Sequence, residues 1–106
     1  MRIRELVAGG ADELAALFGA VLPESATAQA RRTDDAEAFL KDPSAFALGA
    51  YIEDAPVGLA WGLQMRSPGG RLTTYVHELA VHEDWRLQGV GSALITEAMT
   101  LASGRG

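Results

Sequence analysis

The sequence predicts an α/β (α+β) fold: a mixed, mostly antiparallel sheet flanked by helices in the order β-α-α-β-β-β-α. Three observations predict it. Apolar residues recur at helical spacing at Leu14, Leu17, Phe18, Val21 and Leu22, and again at Ala36, Phe39 and Leu40. Three strand-like runs follow with only short turns between them, which makes them antiparallel neighbours. The last run then passes through Gly89-Val90-Gly91 into a final amphipathic segment.

The elements follow in order. Ile3 to Val7 reads as a first strand ended by Gly9-Gly10. The first helix starts at Ala11, carries Asp12 and Glu13 where a helix start favours negative charge, and stops before Pro23. Residues 24–33 are small and polar and read as a loop, with room to grip a substrate although no residue pattern in it shows that role. Asp34 or Asp35 caps the second helix, and Asp42-Pro43 ends it. Phe46 to Ile52 and Val57 to Met65 form a hairpin around Glu53-Asp54-Ala55. Arg66-Ser67-Pro68-Gly69-Gly70 turns the chain into Leu72 to Val81, the longest strand candidate. The last helix runs from about Val90 to Ser103, with Leu94, Ala98, Leu101 and Ala102 on one face, widened by Ile95 and Met99. Gly104 suits the left-handed position just beyond it.

Composition narrows the function classes. The chain has 106 residues, enough for a single domain spanning 1–106. Its net charge is −5 with no basic block, which disfavours nucleic acid and leaves a cationic small molecule open. There are no cysteines, so disulfides and thiolate catalysis are excluded. The two histidines, His77 and His82, are too few for a metal cluster, and no metal is expected. No membrane-spanning run or signal peptide is visible, so a cytoplasmic protein is expected.

The glycine turn is the strongest motif. A strand leading into a glycine turn and then a helix start gathers backbone N–H groups and a partial positive charge on an anion. A dinucleotide fingerprint needs a third glycine, which would fall at Leu94. A P-loop needs a lysine after its final glycine, where this chain has Ser92. Both fail. Arg86-x-x-Gly89-x-Gly91 instead resembles the acetyl-CoA signature of the GNAT superfamily of N-acetyltransferases, (Gln/Arg)-x-x-Gly-x-(Gly/Ala). Glu78 to Trp85 looks like that superfamily's fourth strand and following loop. Ala45 to Leu48, Val57 to Ala60 and His77 to Val81 look most like the aminoglycoside 3-N-acetyltransferases.

The resemblance implies acetyl-CoA as co-substrate and a primary amine of a small molecule, aminoglycoside-like, as acceptor. It implies that backbone N–H groups from Gln88 through Gly91, with Arg86, Leu87, Val90 and Ser92 around them, cradle the pyrophosphate. Main-chain groups of Leu79, Ala80 and Val81 would take the pantetheine arm as though it were another strand. Glu78 aligns with the acidic residue that serves as general base. An ammonium must lose a proton before its nitrogen attacks a thioester, and a carboxylate within reach or one water away accepts it.

Plainer readings stand beside these. By alternation alone Glu78 is equally an outward-facing strand residue, and His77 falls on the opposite strand face from it. His82 reads as a solvated loop residue. Trp61 and Trp85 read as anchors rather than stacking platforms. Arg86 is open to pairing with Glu83 or Asp84 instead of phosphate. Asp34, Asp35 and Glu37 read as a solvated helix start or an anionic lip for a cationic substrate.

Relatives of this kind continue into a β-α-β-β part that this sequence lacks, including a fifth strand beside the fourth and a tyrosine that protonates the departing thiolate. Neither Tyr51 nor Tyr75 aligns with that tyrosine. A truncated form leaves the fourth strand as a long edge, which monomers seldom expose. A homodimer through that edge or the adjacent apolar face is therefore expected. The contrasting expectation is a truncated, catalytically inactive, self-associating domain that binds acyl-CoA weakly or not at all.

Overall fold

Four strands make one antiparallel sheet in the order β1-β2-β3-β4: β1 Arg2–Glu5, β2 Ala45–Ile52, β3 Ala55–Arg66 and β4 Leu72–Val81. Among the described residues three α-helices cover it: α1 Ala11–Val21, α2 Thr33–Lys41 and α3 Val90–Arg105. The computed structural model describes residues 1–22 and 33–105. The segment read as a loop with room to grip a substrate lies outside the described residues, apart from Thr33, which begins α2. The fold class and the element order are those the sequence predicts.

Strand β2 is buried from Ala45 through Tyr51, so it reads as a continuous apolar run rather than an alternating one. One face of the sheet meets α1 and α2. There Leu14, Leu17, Phe18 and Val21 pack with Leu6, Ala47, Tyr51 and Leu59. The other face meets α3, where Val90, Leu94 and Ala98 pack with Phe46, Leu48, Ala50 and Ala60. Burying each such Leu, Val or Phe contributes roughly 1.5–3 kcal/mol, so both faces are held by transfer of apolar surface from water.

Local chemistry sets the joints. Glu53 and Asp54 both take positive φ, 50° and 67°, forming the tight hairpin turn whose twist suits antiparallel strands. Glu37 on α2 accepts the Gly9 N–H through both oxygens, at 2.8 and 3.0 Å, and so ties α2 to the β1–α1 turn. The buried Tyr51 hydroxyl donates to Glu13 on α1, which also pairs with Arg4 of β1 at 3.3 Å. Burial, reinforced by the Glu13 carboxylate, pushes the Tyr51 phenol above its ordinary range. The Asp42 carboxylate accepts from the Ser44 N–H and hydroxyl at 2.9 and 2.7 Å, which holds its carboxyl below the usual value and shapes the turn into β2.

Some boundaries differ from the sequence reading. β1 spans Arg2–Glu5 rather than Ile3 to Val7; Leu6 follows it, buried and with its N–H still donated to the Ala47 carbonyl, and Val7 is exposed. Helix α3 continues through Gly104 to Arg105 instead of ending at Ser103. A glycine adopts the α conformation as readily as the left-handed one, so its presence alone does not end a helix. The buried stripe of α3 is also narrower than expected, since Met99 is 64% exposed. Among the described residues no helix is long and apolar enough to cross a membrane.

Candidate functional site

The register of β3 against β4 breaks once, and the break builds the site. Trp61 pairs with Glu78, but Gly62 pairs with Val76, so His77 is an extra residue in β4. Such a bulge sets two residues of one strand against one of its partner and re-aims their side chains. A Cβ on Gly62 would lie 1.8 Å from the Tyr75 carbonyl oxygen, so only glycine fits opposite the bulge. Here both His77 and Glu78 reach Trp61. The Trp61 Nε1–H donates to Glu78 Oε1 at 2.8 Å. The His77 ring stacks on the Trp61 ring, centroids 4.5 Å apart and planes 27° from parallel. Simple alternation separates His77 from Glu78; the bulge brings them together.

Trp61 is more than an anchor. Phe39 of α2 meets it edge-on at 5.5 Å, and the ring closes one wall of a cavity of about 250 Å³ between α1, α2 and β3. The other walls include Leu14, Phe18, Asp35, Ala36 and Phe39. Asp35 of the acidic trio is thus at the cavity, while Glu37 is spent on Gly9. Sequence reasoning missed the role of Trp61 and the company of His77. The isolated Gly62 inside a strand pattern was the available signal, because such a glycine marks a bulge or a close backbone approach.

At the far end of β4 the site is made of backbone. β4 is an edge strand. The His82 N–H donates to the Val57 carbonyl at 2.8 Å. Counting back by twos, Ala80 also turns its backbone groups to β3, whereas Leu79 and Val81 turn theirs to the open edge. The three residues expected to bond a ligand along this edge therefore divide into two outward and one inward. Arg86 bends back over the strand end, its Nε–H donating to the Val81 carbonyl at 3.3 Å rather than to Glu83 or Asp84. His82 is also engaged: its Nδ1 accepts the Asp84 N–H at 3.1 Å and caps the Glu83–Trp85 turn.

The loop then winds through Leu87 and Gly89, with φ of 64° and 84°. A left-handed conformation is unfavourable for a residue with a Cβ, and Leu87 holds it while fully exposed. Gln88 reaches back toward the Asp84 carbonyl at 3.5 Å. The first helical bond of α3 is Ala93 N–H to the Gly89 carbonyl. The N–H groups of Val90, Gly91 and Ser92 precede it, at the positive end of the helix dipole. Val90 is buried and anchors this turn, while Ser92 is exposed. A Cβ on Gly91 would sit 3.8 Å from the Leu79 and Val81 side chains, an ordinary contact, which fits a position where glycine or alanine serves.

A strand edge, a left-handed glycine turn and a helix N-terminus in this sequence suit an extended ligand ending in phosphates. The sequence model of the acetyltransferase (GNAT) family matches residues 11–106. The chain belongs to the GNAT acetyltransferase family.

Solved structures agree on the fold of this GNAT chain. It is similar to an aminoglycoside acetyltransferase from an uncultured soil metagenomic sample, with 22% identity and a TM-score of 0.82 over 99% of this chain and 73% of the other. It is 31% identical to the ribosomal-protein-alanine N-acetyltransferase of Brucella melitensis biovar Abortus 2308, with a TM-score of 0.75 over 98% and 72% of the two chains. It also resembles the aminoglycoside N-acetyltransferase AAC(6')-Iy in complex with CoA, at 16% identity and a TM-score of 0.75 over 99% and 70%. None of the curated proteins matches the chain.

Proposed function

We propose that this GNAT chain transfers an acetyl group from acetyl-CoA to a primary amine of a small molecule. The observation that carries the reading is the continuity of β4. The Glu78 carboxylate, held by Trp61, is followed along the chain by the outward backbone of Leu79 and Val81, then by the Gly89 turn and the start of α3. Aminoglycoside-like amines are one acceptor class, supported by the names of two structural neighbours and by the net charge of −5. Protein N-terminal alanine is the other chemistry a neighbour's name carries.

In this reading the N–H groups of Gln88 through Ser92 bind the pyrophosphate of CoA, and the edge of Leu79 and Val81 takes its pantetheine arm. Acetyl-CoA supplies the activated acetyl group: the amine nitrogen bonds to the acetyl carbon, the C–S bond breaks, and CoA departs as the thiolate, which takes a proton from solvent. Glu78 accepts the proton that the acceptor ammonium must release, directly or through a water. The Leu79 N–H, turned to the open edge, meets the oxygen on which negative charge develops. Tyr51 stands apart from these steps, because its hydroxyl is committed to Glu13.

Titration calorimetry with acetyl-CoA, followed by an amine panel that includes aminoglycosides and an alanine-first peptide, tests the reading. Binding and acetylation are expected. Glu78→Gln is expected to lower turnover about a hundredfold or more with acetyl-CoA affinity unchanged. Equal loss in both quantities would make Glu78 structural, and absence of binding at millimolar acetyl-CoA would remove the enzyme reading. A second reading rests on the position of β4 at the sheet edge, with Leu79 42% and Tyr75 53% exposed. In that reading a second copy covers the edge and the chain self-associates, with or without catalysis. Light scattering over a dilution series is expected to show a dimer, and a stable monomer at micromolar concentration would overturn it.

A further inference from the structure

Trp61 is shared by two parts of the molecule that the sequence treats separately. Its indole N–H holds one oxygen of Glu78 at 2.8 Å, leaving Oε2 for other partners. Its ring is a wall of the cavity between α1, α2 and β3. His77, stacked on the ring, and Phe39, edge-on to it, fix the plane of the indole. A carboxylate bound by a locked N–H is restricted in rotation, and a hydrogen bond to an ionised acceptor is among the stronger ones. Catalysis by a base depends on such fixed geometry.

The cavity itself is compact and its described walls are mainly hydrocarbon and aromatic. Its volume is about 250 Å³ and it opens to solvent on one side. Polyhydroxylated rings carry many polar groups that Leu14, Phe18, Ala36 and Phe39 cannot pair, and burying an unpaired hydroxyl is costly. An aryl or alkyl body loses nothing there. We propose that Trp61 is the positioning residue for Glu78 and also the wall on which the acceptor rests, so that the favoured acceptor is a primary amine on a compact apolar body. This rests on the transferase reading for the reaction, but the binding itself does not.

The test uses the whole chain labelled with 15N-tryptophan, which gives two indole N–H signals, from Trp61 and Trp85. Trp61→Phe identifies the Trp61 signal by its loss; if that variant fails to fold, Trp85→Phe identifies it by elimination. In the free protein Glu78→Gln is expected to move the Trp61 signal upfield and leave that of Trp85 in place. Titration with 2-phenylethylamine, without acetyl-CoA, is expected to move the Trp61 signal saturably, and kanamycin at the same concentrations is expected to move it less. A Trp61 signal indifferent to Glu78→Gln would overturn the positioning role. A stronger response to kanamycin than to 2-phenylethylamine would overturn the acceptor class. In acetyl transfer, Trp61→Phe is expected to lower kcat about ten- to a hundredfold with KM for acetyl-CoA unchanged, the loss that one charge-assisted hydrogen bond explains. A rise in KM for acetyl-CoA with unchanged kcat would overturn it. If no amine is acetylated at all, the transferase reading fails while the two indole readouts still decide the role of Trp61.

Discussion

The two ends of β4 are built from different materials. At its bulge the candidate site is made of side chains: Trp61 from β3 grips Glu78 and stacks on His77, and α1 and α2 supply cavity walls. Past its end the candidate site is made of backbone: a left-handed turn at Gly89 and the opening N–H groups of α3. A backbone site needs glycines at fixed spacing and little else, so it leaves a motif in the sequence. A side-chain site needs a register, a bulge and three other elements in place, and it leaves almost none.

The contrast breaks most severely at Gly62. Gly62→Ala drives a Cβ into the Tyr75 carbonyl, so the bulge must shift or the strands part. A loss of about 3 kcal/mol is expected in denaturant unfolding, at the upper end for overpacking. The Trp61 indole signal should leave its Glu78-bound position with it. An unchanged unfolding midpoint would show that the bulge is not what this glycine serves.

At the backbone end the counterpart is Gly89→Val, a branched residue at a φ of 84°. The expected cost is about 1–2 kcal/mol of stability. Acetyl-CoA affinity by calorimetry should fall while the Trp61 signal stays put. Movement of both would mean that the two ends are one mechanical unit rather than two.

Tyr51 tests the scaffold beneath the side-chain end. Tyr51→Phe removes the hydroxyl that joins β2 to Glu13 and is expected to cost about 1 kcal/mol. The sign with pH follows from the raised phenol: its ionisation in the fold lies above that in the unfolded chain, about pH 10. Its contribution is therefore complete below about pH 10 and is lost as pH rises further. Tyr51→Phe should flatten that alkaline loss in unfolding measured across pH. The smallest effect belongs to Gly91→Ala, where space is ordinary and the residue is helical. A gain of about 0.5 kcal/mol is expected by thermal unfolding.

How much was legible follows the same division. The helical spacing of Leu14, Leu17, Phe18, Val21 and Leu22 announces a helix; the first four are buried in α1, while Leu22 is its half-buried C-cap. Strand β4 was bounded correctly at Leu72 and Val81, because turn residues flank it. Alternation sets His77 on the opposite face from Glu78, whereas in the fold both meet Trp61. Periodicity assumes an unbroken ladder, and only the pairing partner decides where a ladder breaks.

The sequence by itself determined the order of elements, the apolar faces of the helices and the glycine spacing after β4. These are local properties, set by side-chain period and backbone freedom within a few residues. Only the tertiary structure decided that Trp61 contacts both Glu78 and His77, that Leu79 and Val81 face the open edge while Ala80 does not, and that α1 and α2 leave a cavity against Trp61. Those outcomes depend on which strands pair, in what register and with what bulge. Residues distant in the chain settle them, and no window of neighbouring residues contains that information.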